Sequence, residues 1–301
     1  MDLLLFFAAA LRISIPYTLA ALGSTFSERG GVINIALEGI MLSGALAYVL
    51  GAYWTGSPWA GVAAAVAAGV LTALLHAVVT VHFRADQITS GLGINLLAAG
   101  LTKFVLTQVF DSSSNSSRVV GLPEWDLLGL AHLPALGPVL ATPLVLLTLL
   151  LVLLGQAALF RSVFGLRLRS IGERPQAAAT LGLAVVRYRY AGVLISGALA
   201  GLAGAWLASE QHSFTDGMTN GRGYIAIAAM IVGKWSPLGA AAACLLFGAA
   251  EALQIALQGS GFPSELLQML PYLVTMLALA GFIGRAIPPR ALGTPYDAEK
   301  A

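Results

Sequence analysis

Residues 160–190 read FRSVFGLRLRSIGERPQAAATLGLAVVRYRY. The stretch holds Arg161, Arg167, Arg169, Arg174, Arg187 and Arg189 against one acid, Glu173, although the whole chain has only 16 Lys+Arg. Apolar sequence flanks it on both sides. A basic segment between two membrane spans is retained on the cytoplasmic side, so 161–189 is expected to be a cytoplasmic loop. Pro175 suits the first turn of a short helix over Gln176 to Leu181, and Gly182 suits its stop. A short helix held beneath a membrane can sit in a groove of a soluble protein and pass on its movement. The simpler alternative is that the arginines only retain the loop inside and bind anionic lipid.

Composition agrees with a membrane setting for that loop. The 301 residues are 58% hydrophobic and 10% charged, with a mean hydropathy of +0.84, whereas about a quarter of the residues in soluble domains are charged. The 34 glycines suit a bundle whose backbones approach closely. Continuous apolar runs exclude a β-barrel, which alternates over strands of about ten residues. The fold class expected is all-α: one polytopic transmembrane domain over 1–301, of about 8–10 spans with broken or re-entrant helices. The runs 3–24, 31–53, 58–82, 88–110, 137–160, 189–209, 237–258 and 264–285 qualify by length, and 218–234 is a short candidate. The opening run has no basic n-region and reads as a first span.

Sidedness follows from charge. The polar loop 111–136 has one basic residue, Arg118, and is expected outside, as is 210–222 with Glu210 and Asp216. His82, Arg84, the 161–189 loop and a tail over 286–301, near Arg285, Arg290 and Lys300, are expected inside. An odd number of spans then puts the N-terminus, with Asp2, outside. The pentapeptides beginning at Ser43 and Ser196 both read SGALA, which in so Ala- and Gly-rich a chain is no proof of a repeat.

Three segments interrupt the hydrophobic pattern: 27–39, 84–95 with Gly91 and Gly93, and 215–239. Irregular backbone at membrane depth persists only where protein or a water-filled cavity covers it, and such breaks commonly surround a transported solute. Polar residues cluster nearby. Glu38, if unpartnered in a span, would cost about 2.5–3.5 kcal/mol; it either lines a path or makes an internal link, for instance to an amide freed at Gly30-Gly31. Asn34, four residues earlier, would share its helix face. Asn95 is a path residue or a hydrogen-bonded tie between helices. Glu251, Gln254 and Gln258 fall on one helix face, lining a path or meeting a partner. Thr219, Asn220 and Arg222 are expected near an outer mouth. The candidate translocation path is therefore Asn34, Glu38, Asn95, Asn220, Glu251 and Gln254. Lys234 reads as a membrane boundary, its stem snorkelling. The run 112–117 reads as a solvated outer turn.

No catalytic arrangement stands out. A phosphate-cradling loop for ATP is lacking, the histidines (His76, His82, His132, His212) have no metal-ligand spacing, and Cys244 is alone. No cofactor, metal or nucleic acid is expected.

GLRLRSIGERPQAAATLGL at 165–183 resembles the cytoplasmic coupling region of bacterial ABC importer permeases of the branched-chain amino acid and simple-sugar (ribose) superfamily. GGVINIALEGIMLSGA at 30–45, DQITSGLGINLLAAGLT at 86–102 and the segment 220–254 are similar to the second permease of nucleoside-type importers, which work with binding lipoproteins of the basic membrane protein kind. The resemblance implies a non-enzymatic subunit of the inner membrane that moves a nucleoside or simple sugar. Its implied partners are an ABC ATPase, a second permease and an extracytoplasmic binding lipoprotein. Carried onto this chain, the coupling residues are Arg167, Arg169, Gly172, Glu173, Arg174, Pro175, Ala178, Leu181 and Gly182. The alternative is an ion- or proton-coupled carrier in which Glu38 and Glu251 titrate.

Overall fold

The computed structural model describes residues 3–125, 129, 136–258, 263–278, 280 and 286–297. Asp2, His132, Arg285 and Lys300 lie outside the described residues, as do parts of the expected outer loop 111–136, of the run 264–285 and of the tail 286–301. Among the described residues the chain is helical. In order it forms α1 (Leu3–Arg29), α2 (Leu37–Thr55), α3 (Pro58–Ala77, ending in a π turn over Val78–His82), α4 (Gln87–Phe110), α5 (Gly137–Leu140), α6 (Pro143–Arg161) and α7 (Val163–Glu173). There follow α8 (Pro175–Thr180), α9 (Val185–Gln211), α10 (Arg222–Val232), α11 (Pro237–Leu257), α12 (Ser264–Gln268) and α13 (Leu270–Leu277).

Seven of these, α1, α2, α3 with its π turn, α4, α6, α9 and α11, are long and apolar enough to cross a membrane; Arg222–Val232 and Leu266–Leu277 are apolar but shorter. The same segments carry the hydrophobic runs of the sequence. Proline starts α3, α6 and α11, where its missing N–H costs no helical bond. Asp86 caps α4. The Thr89 amide and hydroxyl both donate to its Oδ1 at 2.7 Å, which holds this carboxyl below the usual range. The cap therefore stands at neutral pH and is lost only as pH falls through that lowered value.

Helix α9 is the axis of the bundle, packed on α1, α2 and α3, while α11 lies on α1 and α10 sits against α1 and α11. Close approach explains the glycines there. A Cβ on Gly69 or Gly44 would run into the backbone of α9 at Gly197 or Gly201, so three backbones meet with no side chain between them. Gly44 of the first SGALA segment meets α9 at Gly201, while Gly197 of the second meets α3 at Gly69.

The helical path is interrupted in two places. Between α1 and α2, residues 30–36 are unwound, with Gly31 at φ +86°. Between α9 and α11 the chain turns through 212–221, forms α10, and turns again at 233–236. Eleven residues of helix rise about 16 Å, half of a hydrocarbon core of about 30 Å, so α10 is a half-helix. Its far end is tied to α1 beside Arg29, at the end of the bundle that carries α7 and α8 and is called the base below. Residues 84–95 differ from expectation: α4 runs unbroken through Gly91 and Gly93. Gly91 is there for proximity, since a Cβ would press on the unwound backbone at Ile35 and Ala36, and Gly93 faces open space.

At the end opposite the base, the Ser-rich turn is more than a solvated loop. Ser116 N–H donates to Phe214 C=O at 2.9 Å and Val119 N–H to His212 C=O at 2.8 Å. Asn115 and Thr215 form a β-bridge. The turn thus lies over the 212–216 segment.

Candidate functional site

The unwound segment 30–36 leaves peptide groups with no helical partner, and each must be satisfied inside the bundle. Side chains from distant helices do this. Gln87 Oε1 accepts from Ile33 N–H at 2.7 Å and His76 Nε2 meets Ile33 C=O at 2.9 Å. Asn95 Nδ2 donates to Ile35 C=O at 3.0 Å while its Oδ1 accepts from Gly39 N–H at 2.8 Å. The Ser27 hydroxyl donates to Val32 C=O at 2.8 Å. Asn34 lies within this segment, so it does not share a helix face with Glu38. It is fully buried, and its Nδ2 donates to Ser196 Oγ at 2.9 Å.

Glu38 stands in the first turn of α2 and turns toward the start of α10. Gly221 N–H donates to its Oε1 and Gly223 N–H to its Oε2, both at 2.7 Å. A carboxylate at a helix N-terminus satisfies orphan amides and meets the positive end of the helix dipole. The internal link foreseen for Glu38 therefore runs to α10, not to the amides freed at Gly30-Gly31. Asn95 joins the junction by donating to the Tyr224 hydroxyl at 3.0 Å. Replacing Asn95 with leucine strands the Gly39 amide and the Ile35 carbonyl together. The expected result is a loss of about 2 kcal/mol in stability, read as a lower unfolding midpoint in detergent.

Beside this junction lies a polar pocket of about 220 Å³, lined by Tyr17, Asn220, Arg222, Ile225, Glu251, Gln254, Gln268, Pro271 and Tyr272. Arg222 Nη2 donates to Glu251 Oε1 at 3.0 Å, and the Tyr17 hydroxyl donates to Glu251 Oε2 at 2.5 Å. Arg222 Nη1 also reaches Met218 C=O at 3.3 Å. Pairing offsets the cost of two charges at membrane depth, and the amides of Asn220, Gln254 and Gln268 give the pocket both donors and acceptors. Arg222 and Asn220 lie at the start of α10, about 16 Å of helix from the turn tied to Arg29. Gln258 follows the end of α11 and is not part of the lining.

At the base, α7 and α8 form a bent amphipathic segment. Pro175 opens α8 and the chain leaves it through Gly182 at φ +81°. Gly182 N–H donates to Ala179 C=O at 2.8 Å and Leu183 N–H to Ala178 C=O at 3.1 Å, a C-terminal stop of the kind glycine permits. Of the residues singled out for coupling, Gly172, Pro175 and Ala178 are buried, while Arg167, Glu173, Arg174, Leu181 and Gly182 are exposed. Leu181 is 82% exposed. Arg169 is half-buried and lies over the Phe160 ring, 4.8 Å from its centroid, and Arg167 Nη1 donates to the Tyr188 hydroxyl at 3.1 Å. A groove of about 400 Å³ runs along Glu173, Arg174, Ala177, Ala178 and Leu181 to Arg290.

The tail returns to this same corner. Ala291 N–H donates to Gly172 C=O at 2.9 Å and Gly293 N–H to Gly31 C=O at 3.3 Å. Arg189 is 1% exposed and its Nη1 donates to Thr294 C=O at 3.0 Å. Arg84 and Asp297 pair at 2.9 Å. Of the six path residues expected from sequence, Asn220, Glu251 and Gln254 line the polar pocket, whereas the roles of His76, Gln87 and Tyr17 were not foreseen. No local signal marks them, because their partners lie 43 and 54 residues away for His76 and Gln87 and 234 residues away for Tyr17.

Helix interruptions that meet around a polar pocket, with an amphipathic segment at one end, are the parts of a membrane transport subunit. Residues 6–279 match the family model described as the branched-chain amino acid transport system / permease component. The guanosine ABC transporter permease protein NupQ of Bacillus subtilis is 41% identical, over 96% of this chain and 95% of its own length. The nucleoside ABC transporter permease protein NupC of Lactococcus lactis is also 41% identical, over 97% and 96%. The guanosine ABC transporter permease protein NupP of B. subtilis is 26% identical, over 90% and 80%. No solved structure matches. The chain belongs to the branched-chain amino acid transport system permease family, and is a multi-pass ABC permease subunit of the inner membrane.

Proposed function

We propose that this permease moves a nucleoside into the cell, paired with a second permease, driven by a separate ABC ATPase and supplied by an extracytoplasmic binding lipoprotein. The observation that carries the solute class is the near full-length 41% identity to permeases named for guanosine and for nucleosides. The pocket is compatible with it. Asn220, Gln254, Glu251 and Arg222 offer donors and acceptors to a base edge and a sugar, and Tyr272, 55% exposed, offers a ring face for stacking. Asn34, Glu38 and Asn95 act from behind the pocket by fixing the break that shapes it. The 161–189 segment faces the cytoplasm, 111–136 faces outside, and the tail 286–301 stays inside. The ATPase grips the exposed edge of α8 from Glu173 to Gly182.

A proton-coupled carrier is less well supported, since Glu38 and Glu251 are each engaged by amides, a cation or a phenol. The test is uptake of labelled guanosine by proteoliposomes holding the whole complex with its binding protein. ATP-dependent uptake that unlabelled nucleosides abolish, and ribose and leucine do not, is expected. Competition by ribose alone would move the solute class to sugars, and uptake driven by a proton gradient without ATP would restore the carrier.

A further inference from the structure

Two breaks in the bundle and the base meet at one place, the turn between α10 and α11. Trp235 is 4% exposed and Glu28 is 3% exposed, and Trp235 Nε1 donates to Glu28 Oε2 at 2.7 Å. Arg29 Nε donates to Trp235 C=O at 2.8 Å and Arg29 Nη2 to Lys234 C=O at 3.2 Å. The last turn of α1 thus holds this turn by side chain and backbone at once. Lys234 and Trp235 both have left-handed backbones, at φ +57° and +52°. Glycine or asparagine would adopt that shape more readily, so the tryptophan is retained there at a steric cost, and strained backbone of this kind clusters at working sites.

The same turn of α1 is gripped from below by the α7–α8 segment. Two guanidinium groups lie against the Phe160 ring, Arg29 at 5.6 Å and Arg169 at 4.8 Å from its centroid. A Cβ on Gly172 would overlap the Arg29 carbonyl, so α7 crosses the end of α1 in direct backbone contact. Above the turn, α10 is a stiff rod of about 16 Å. Its upper end carries the Gly221 and Gly223 amides bound to Glu38, and Arg222 bound to Glu251.

We infer that the Glu28–Trp235 clip is the joint by which movement of the α7–α8 segment reaches α10 and the polar pocket, which makes Glu28 and Trp235 positioning residues for transport. The inference rests on α8 being the surface that the ATPase moves. Movement of Gly172 and Arg169 displaces the end of α1, the clip carries the 234–235 turn with it, and α10 transmits the shift lengthwise to the wall of the pocket. A helix is a rigid element, and coupling between distant sites is carried by such elements and the hydrogen bonds at their ends.

The experiment uses the complete complex in proteoliposomes. Trp235→Phe keeps a ring and removes the donor, and Glu28→Leu removes the acceptor without leaving a buried charge. Each is expected to lower uptake per ATP hydrolysed by up to about tenfold, in line with one lost buried hydrogen bond. The double variant should fall no further than either single variant, and Glu28→Gln, whose amide oxygen still accepts, should restore most of the loss. If Trp235→Phe does not assemble, the Glu28→Leu and Glu28→Gln pair carries the same comparison. A second readout needs no knowledge of the solute: maleimide labelling of Ile225→Cys in the pocket wall, with and without ATP. Labelling should respond to ATP with the clip intact and cease to respond in Trp235→Phe. An equal ATP response in both, or unchanged uptake per ATP in both single variants, would overturn the joint alone. A lack of any ATP response with the clip intact would instead overturn the ATPase-driven reading on which it rests.

Discussion

Replacing Glu251 with leucine should cost this protein about 3 kcal/mol of stability and abolish uptake. The carboxylate is the partner of Arg222 at 3.0 Å, with side chains 18% and 23% exposed. Removing one member of a buried pair costs about 3–5 kcal/mol because the other charge is left without compensation, and the residual exposure places this pair at the low end. Tyr17 loses its acceptor as well. Restoring charge balance with Arg222→Met in the same chain should return most of the stability, since an apolar pair of similar volume is tolerated where an ion pair stood. Uptake should stay absent, because the pocket has then lost both of its charges. Unfolding midpoints in detergent and uptake by the full complex separate the two effects. Recovery of uptake in the double variant would show that the pair is only structural.

Leu181→Asp is expected to leave stability unchanged and to reduce uptake about 30-fold, the size of effect that follows loss of a central anchor worth about 2 kcal/mol. Leu181 is 82% exposed, so the described residues make little use of its side chain. A leucine displayed at the end of a short helix, between Arg174 and a glycine stop, fits a groove on another protein. The aspartate should also lower ATPase stimulation by the loaded binding protein, while basal hydrolysis by the ATPase persists. Equal uptake in the variant would remove α8 from the coupling surface.

The parts legible in the sequence were those with local rules. Pro175 and Gly182 marked α8 to within a residue, since each fixes a backbone conformation by its own chemistry. The apolar runs located all seven long helices, and Gly-rich turns bounded α10. The fine structure of the pocket needed contacts far apart in the chain. Glu38 announced a charge within an apolar run, yet nothing near it named Gly221 and Gly223, which lie 183 and 185 residues away. Gly91 and Gly93 looked like a helix break because glycine weakens helices in isolation. In the bundle, packing of Gly91 against the unwound 35–36 backbone keeps α4 whole. The residues of α7 were read as loop because its arginines hid the amphipathic face that buries Leu168 and Ile171.

The central claim is that α8 lies in the cytoplasm and is held by a separate ATPase. The chain offers a clean probe, since its single cysteine, Cys244, is fully buried, so Leu181→Cys introduces one accessible thiol. A membrane-impermeant maleimide should label it in inside-out vesicles, fail to label it in right-side-out vesicles, and be blocked when the ATPase subunit is bound. Labelling from the outer face, or labelling that the ATPase leaves unchanged, would contradict the account.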